Sequence, residues 1–239
     1  MNINPIRKRF SNALWGALSA LSLFLLASVR LSAELPPTET NVPPQRLSAL
    51  AETYEQSGDL LEAAAVYERL IEQDPTKRMV LAQRLVRIYA KEGQAEKALS
   101  WAHVVMEQNP EPQAYLAGVH TLLGHLDEAK DILEKLVAER KEPRQKLTLS
   151  WQLAEVYEKQ DNIPAAEKTL LESVESVEGT IHETAAWSRI CRFYEGHGLL
   201  ETRMKEWKKA VRKDPENETA SWALVAASYG PVGKSFWTA

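Results

Sequence analysis

The residues that could do chemistry are few, and their spacing works against each chemistry in turn. Gly230-Pro231-Val232-Gly233-Lys234-Ser235 carries the Gly-Lys-Ser of a phosphate-binding loop. The first glycine of such a loop belongs at position 228, where Ser228 stands, and only four residues follow Ser235, too few for the helix whose N-terminus would hold the phosphate. The histidines are His103, His120, His125, His182 and His197. His120 and His125 lie five apart with Gly124 between them, a poor spacing for one helix face, so neither a metal site nor any other cofactor is expected. Cys191 is the only cysteine; it cannot staple the chain internally, and its place in a small-residue packing slot predicts a buried, inert thiol. No serine elbow, metal-binding helix signature or glycine-rich nucleotide fingerprint occurs. Asn217-Glu218-Thr219 is a glycosylation sequon, but the pattern is short and the leader has a bacterial look. The expectation is a non-enzymatic chain, with a metal-dependent or enzyme-associated subunit as the alternative.

What does recur is a packing frame. Five times a tyrosine or other bulky residue stands nine positions before a slot for a small residue, with a glycine usually at the turn between. Tyr54, Gly58, Ala63, Tyr67 and Pro75 form the first instance, and Tyr89, Gly93, Ala98 and Pro110 the second. The third has Ala117, His120, Gly124, Ala129 and Leu133, with His120 in the tyrosine slot. The fourth has Leu153, Tyr157, Ala166 and Leu170, with Asp161-Asn162 replacing the turn glycine. The fifth has Trp187, Cys191, Tyr194, Gly198, Trp207 and Pro215, with Arg203 where a small residue is expected. A last half-unit, Trp222, Val225, Ala226 and Tyr229, reads as a capping helix. Pro75 and Pro110 lie 35 residues apart, close to the period of a helix-turn-helix array of roughly 34 residues. Such a unit cannot bury its apolar stripe alone, so function is expected on the stacked surface.

Composition agrees. Of 239 residues, 44% are hydrophobic and 26% charged, with only 10 glycines, which favours helix. The net charge of −4 hides an asymmetry: residues 1–33 hold Arg7, Lys8, Arg9 and Arg30 and no acid, which leaves residues 34–239 with 25 basic and 33 acidic groups. An acidic body argues against a nucleic-acid partner. Arg7-Lys8-Arg9 precede an uncharged, Leu- and Ala-rich stretch from Ser11 to Val29. A signal peptide cleaved before Glu34 and an uncleaved membrane anchor both fit, and both deliver the body to the periplasmic side. The expected organisation is therefore a targeting segment at 1–33, a Pro-rich linker at 34–45, helical repeats at 46–230 and a tail at 231–239, where Phe236 and Trp237 pack on the cap or engage a partner.

These units resemble tetratricopeptide repeats, which place a large residue, Leu, Gly or Ala and then Tyr in the first helix, with Ala, an aromatic and Ala in the second, closed by Pro. The resemblance covers roughly residues 44–230. It implies an all-α fold, a right-handed superhelical solenoid of antiparallel helix pairs, with the first helix of each pair lining a concave groove that binds a protein or peptide partner. On that frame the groove positions are Glu52, Glu55, Gln83, Arg87, Lys91, Trp151, Glu155, Glu158, Lys159, Ser188, Arg192 and Glu195. Members that grip an acidic carboxy-terminus use paired Asn and Lys/Arg positions; here those slots hold Glu52, Arg87, Gly118 and Glu155, which argues against that subtype. The expected function is an exported adaptor in envelope assembly or secretion, touching the membrane only through its N-terminal segment if that is uncleaved. A spacer that forms a homodimer through its convex face is the structural alternative. The turn positions Gly93, Gly124, Asp161 and Gly198 are separated by 31, 37 and 37 residues, so the middle helices or connections must change length.

Overall fold

A glycine four residues after a tyrosine is what a helix C-terminus closed by a left-handed residue requires, and this turn recurs through the chain. In the computed structural model, residues 42–229 are described; the segment at 1–33 expected to act in targeting, the first part of the expected linker and the tail with Phe236 and Trp237 lie outside the described residues. The described helices belong to one compact unit beginning at Pro44. They are α1 (Pro44–Ser57), α2 (Leu60–Gln73), α3 (Arg78–Lys91), α4 (Ala95–Met106), α5 (Pro112–Leu123), α6 (Leu126–Glu139), α7 (Pro143–Lys159), α8 (Ile163–Glu175), α9 (Glu183–Gly196), α10 (Leu200–Lys213) and α11 (Glu218–Tyr229), with a short 3-10 turn at Pro75–Lys77. They pack as successive antiparallel pairs, α1–α2 to α9–α10, with α11 lying on α9 and α10. Helix α1 begins two residues before Arg46. Pro44 suits a first helical position because the amide proton it lacks would have no partner there. Among the described residues no helix is long and apolar enough to cross a membrane.

Each hairpin closes in the same way. The residue after the turn position donates its N–H to the carbonyl of the tyrosine-slot residue: Asp59 to Tyr54 at 2.9 Å, Gln94 to Tyr89 at 2.8 Å, His125 to His120 at 3.0 Å, Asn162 to Tyr157 at 2.8 Å and Leu199 to Tyr194 at 2.8 Å. This six-to-one bond is the Schellman closure, and it requires positive φ at the residue between. Gly93 has φ 68°, and Asp161, the one non-glycine residue at a turn position, takes φ 58°. Aspartate tolerates that region at a cost that glycine does not pay. Asp161→Gly is therefore expected to raise the unfolding free energy by about 0.5–1 kcal/mol, and Gly93→Ala to lower it by about 1 kcal/mol, both read from urea denaturation. The second loss is conformational and not steric, since a Cβ at Gly93 would meet nothing within 4 Å.

Four residues beyond that closure, Ala63, Ala98, Ala129 and Ala166 are fully buried and let the paired helices approach closely. The fifth pair departs from this. Arg203 fills the small slot, its guanidinium lies 5.3 Å over the Tyr194 ring, and it pairs with Glu167 of α8 and Glu206. Trp207 then meets Trp187 edge-on at 6.1 Å. Bulky contacts thus hold α9 and α10 apart, and they form the loosest hairpin of the five. The uneven turn spacing also has simple causes. Helices α4 and α5 have only 12 residues each, α7 has 17, and residues 176–182 make a long connection into α9.

The pairs are tied across their junctions by polar contacts beneath the turns. The Tyr89 hydroxyl of α3 donates to Glu68 of α2 at 2.8 Å, Tyr157 of α7 to Glu134 of α6, and Tyr194 of α9 to Glu167 of α8 at 2.7 Å. Burial, reinforced by the Glu134 contact, pushes the Tyr157 hydroxyl up to about 12, so it remains a donor. In the third pair His120 takes this slot, and its buried Nδ1 has no hydrogen-bond partner. Cys191 is buried as expected, its thiol pushed up to about 11 chiefly by desolvation. Of the residues that mark the capping half-unit, Ala226 is buried in α11 together with Ala220, Ala223 and Ala227, whereas Trp222 and Val225 are exposed.

Candidate partner-binding groove

The surface lined by the first helices can be built from two positions in the repeat frame. Three residues before the turn stand Glu55, Ala90, Thr121 and Glu158; nine before it stand Arg84, Tyr115, Gln152 and Arg189. At the first junction Glu55 of α1 pairs with Arg84 of α3 at 3.2 Å, and the Tyr67 hydroxyl of α2 joins them. At the fourth junction Glu158 of α7 pairs with Arg189 of α9 at 3.5 Å, and with the His197 ring at 3.3 Å. The two middle junctions cannot form this clasp, because Ala90 and Thr121 carry no charge and Tyr115 and Gln152 stand where the arginines would.

A hollow of about 500 Å³ opens at the unclasped stretch. Gln83, Arg87, Tyr115, Gly118, Leu122 and Gln152, from α3, α5 and α7, line it together with Val86 and Val119. Arg87 is exposed and forms no ion pair with any described residue. Its charge acts on Tyr115, whose hydroxyl is nevertheless raised above its ordinary value by burial. Gln152 Oε1 is buried without a hydrogen-bond partner. The rim carboxylate of Glu111 is already held by Arg140 at 3.8 Å. A second hollow, of about 760 Å³, lies between α6 and α8, and its rim charges are partly self-satisfied, with Lys168 paired to Glu172 at 3.7 Å. Among the described residues no three His, Cys, Asp or Glu side chains come together as a metal site.

The structure brings Gln83 and Arg87 to one hollow and disperses the other expected groove residues. Glu52, Lys91 and Glu195 are exposed. Glu55 and Glu158 are occupied in the junction clasps. Glu155 and Lys159 pair with one another at 3.8 Å along α7. Ser188 donates to the Thr184 carbonyl at 2.8 Å, and exposed Arg192 lies near the Ser188 carbonyl at 3.4 Å. Trp151 is half-buried against the core that contains Trp187, its indole N–H without a partner, and its neighbour Gln152 lines the hollow. Tyr115, Leu122 and Gln152 escaped the sequence reading; the signal for them is the loss of the charged pair at two successive junctions.

Paired helices, repeated Schellman turns and a side-chain-lined inner surface define a helical-hairpin solenoid. Residues 54–117, from the first tyrosine slot to the first helix of the third pair, match the tetratricopeptide repeat family. No curated protein matches it. Similar solved structures include the TPR-like repeats of a putative kinesin light chain from Podosopora anserina, 21% identical over 74% of this chain and 100% of that one, with a TM-score of 0.43. A thermophilic TPR protein from Thermus thermophilus is 21% identical over 77% and 98% of the two chains, with a TM-score of 0.40. A tetratricopeptide repeat protein from Parabacteroides merdae is 13% identical over 82% and 79%, with a TM-score of 0.41. At such identities the likeness is one of helix arrangement and says nothing of partners.

Proposed function

We propose that this chain is an exported, non-enzymatic adaptor of the bacterial cell envelope that binds a protein or peptide partner along the inner face of its repeats, in assembly or secretion. The observation that carries the binding part is the unclasped middle of that face: where neighbouring first helices are elsewhere locked by Glu–Arg pairs, here they leave a hollow with an unpaired guanidinium and an unsatisfied amide. An exposed guanidinium with no carboxylate of its own offers a partner a charge-assisted contact beside an apolar hollow. The basic Arg7-Lys8-Arg9 before an apolar stretch supports export.

The test is a pull-down from the envelope fraction of the source cells, with the full chain as bait. Arg87→Glu combined with Arg192→Glu reverses two exposed charges on different first helices without touching the core. Specific partner recovery is expected to fall by about tenfold or more, since an interface charge reversal costs well over 1 kcal/mol. Equal recovery by the variant overturns the groove reading. The amino terminus of the recovered bait reports export: Glu34 marks cleavage, retained Met1 in the membrane marks an anchor, and recovery from the cytosol alone overturns the envelope assignment.

A further inference from the structure

One position in the groove is occupied by a residue that the fold does not require. Gly118 lies in the middle of α5, and glycine is the poorest helix former apart from proline. Its φ is not in the left-handed region, and a Cβ there would meet nothing within 4 Å. Neither backbone strain nor close packing asks for glycine at this site. What its missing side chain does is deepen the hollow between α3, α5 and α7.

The walls specify what fits. Val86, Val119 and Leu122 supply an apolar lining, and Leu122 is 58% exposed, an aliphatic side chain left uncovered. Exposed Arg87, with no carboxylate of its own, stands on the lining with Tyr115 and Gln152, whose Oε1 is buried without a partner. Glu111, the acid on the rim, is turned to Arg140. We infer that the hollow over Gly118 is an anchor pocket for one large apolar side chain of an extended partner segment, with an acidic side chain one or two residues away that pairs with Arg87. The Gln152 amide meets the backbone of that segment. An extended chain advances roughly 3.3–3.6 Å per residue, so a carboxylate that close in sequence stays within the same mouth. The ligand is an internal stretch of chain, recognised by side chains, and needs no free carboxy-terminus.

This rests on the groove reading, and the experiment separates the two. A random short-peptide phage library is panned on the full chain. Enriched peptides are synthesised with acetylated and amidated ends, so that side chains alone carry negative charge. Fluorescence anisotropy then measures their affinity for the wild type, Gly118→Ala, Gly118→Leu, Arg87→Glu and a remote groove variant, Glu155→Lys with Arg192→Glu. The enriched peptides are expected to carry Asp or Glu within two residues of Leu, Ile, Met or Phe. Gly118→Leu and Arg87→Glu are each expected to weaken them about tenfold, as loss of a central anchor does, while Gly118→Ala binds as the wild type does. Changing the peptide's acid to its amide should weaken binding to the wild type but not weaken binding to Arg87→Glu further, since no cation remains there for the carboxylate to meet. If Gly118→Leu melts below the wild type, that acid-to-amide cycle with Arg87→Glu decides the matter. Peptides that bind Gly118→Leu and Arg87→Glu as well as wild type, but fail with the remote variant, overturn the anchor pocket and leave the groove standing. No enrichment, or binding indifferent to every variant, overturns both.

Discussion

Truncating Trp187 to alanine is expected to lower the unfolding free energy by about 3–5 kcal/mol, the range for removing a fully buried large aromatic side chain. Trp187 is 2% exposed, sits among the buried residues of α7 to α11, and meets the edge of Trp207. Its site cannot easily collapse. With Arg203 in the slot where other pairs place alanine, α9 and α10 are held apart, and the indoles fill the space that close helix approach fills elsewhere. Its indole N–H has no hydrogen-bond partner, so the loss is one of packing alone. A solenoid transmits such damage mainly to its nearest neighbours. Hydrogen exchange should therefore show amides of α9, α10 and α11 opening faster, with those of α1 to α4 little changed. A loss below about 1 kcal/mol, or equal acceleration along the whole chain, would overturn this account of the C-terminal core.

How far the sequence discloses this structure depends on the kind of constraint. The hairpins are legible because a Schellman turn fixes the distance between the tyrosine slot and a positive-φ residue, so a frame of Tyr and Gly is geometry written in letters. Asp161 fits because aspartate is among the few residues that tolerate that conformation. Helix α11 is less legible. Periodicity groups Trp222, Val225 and Ala226 on one face, yet the buried set is Ala220, Ala223, Ala226 and Ala227, since only small side chains permit close packing on both α9 and α10. In the groove, Gln83 and Arg87 follow from the frame. Trp151 is a groove position in the same frame, yet it is half-buried against the core around Trp187. The hollow itself depends on a relation between neighbouring repeats, the absence of the Glu–Arg clasp at Ala90 and Tyr115 and again at Thr121 and Gln152. No single repeat contains that relation, and it emerges only when successive frames are aligned.

The same relation between neighbours governs how the first two hairpins hold together, and Glu68 is where it concentrates. One oxygen of this α2 side chain accepts from the Tyr89 hydroxyl of α3 at 2.8 Å and from the Trp101 indole N–H of α4 at 3.2 Å. Both donors belong to the next hairpin, and Tyr89 is only 3% exposed. Burial raises the Tyr89 hydroxyl well above its ordinary value, with Glu68 adding to the effect, so it stays protonated and keeps donating. Removing one donor leaves the carboxylate with its second partner and some access to water; removing the acceptor strands two donors. Tyr89→Phe is accordingly expected to cost about 1–1.5 kcal/mol, and Glu68→Ala about 2–3 kcal/mol, in urea unfolding. In the double variant the two losses should not add, because Tyr89→Phe removes one of the donors that Glu68→Ala would strand. Strict additivity would mean that the carboxylate acts on Tyr89 and Trp101 separately, and the coupling of α3 and α4 through Glu68 would be overturned.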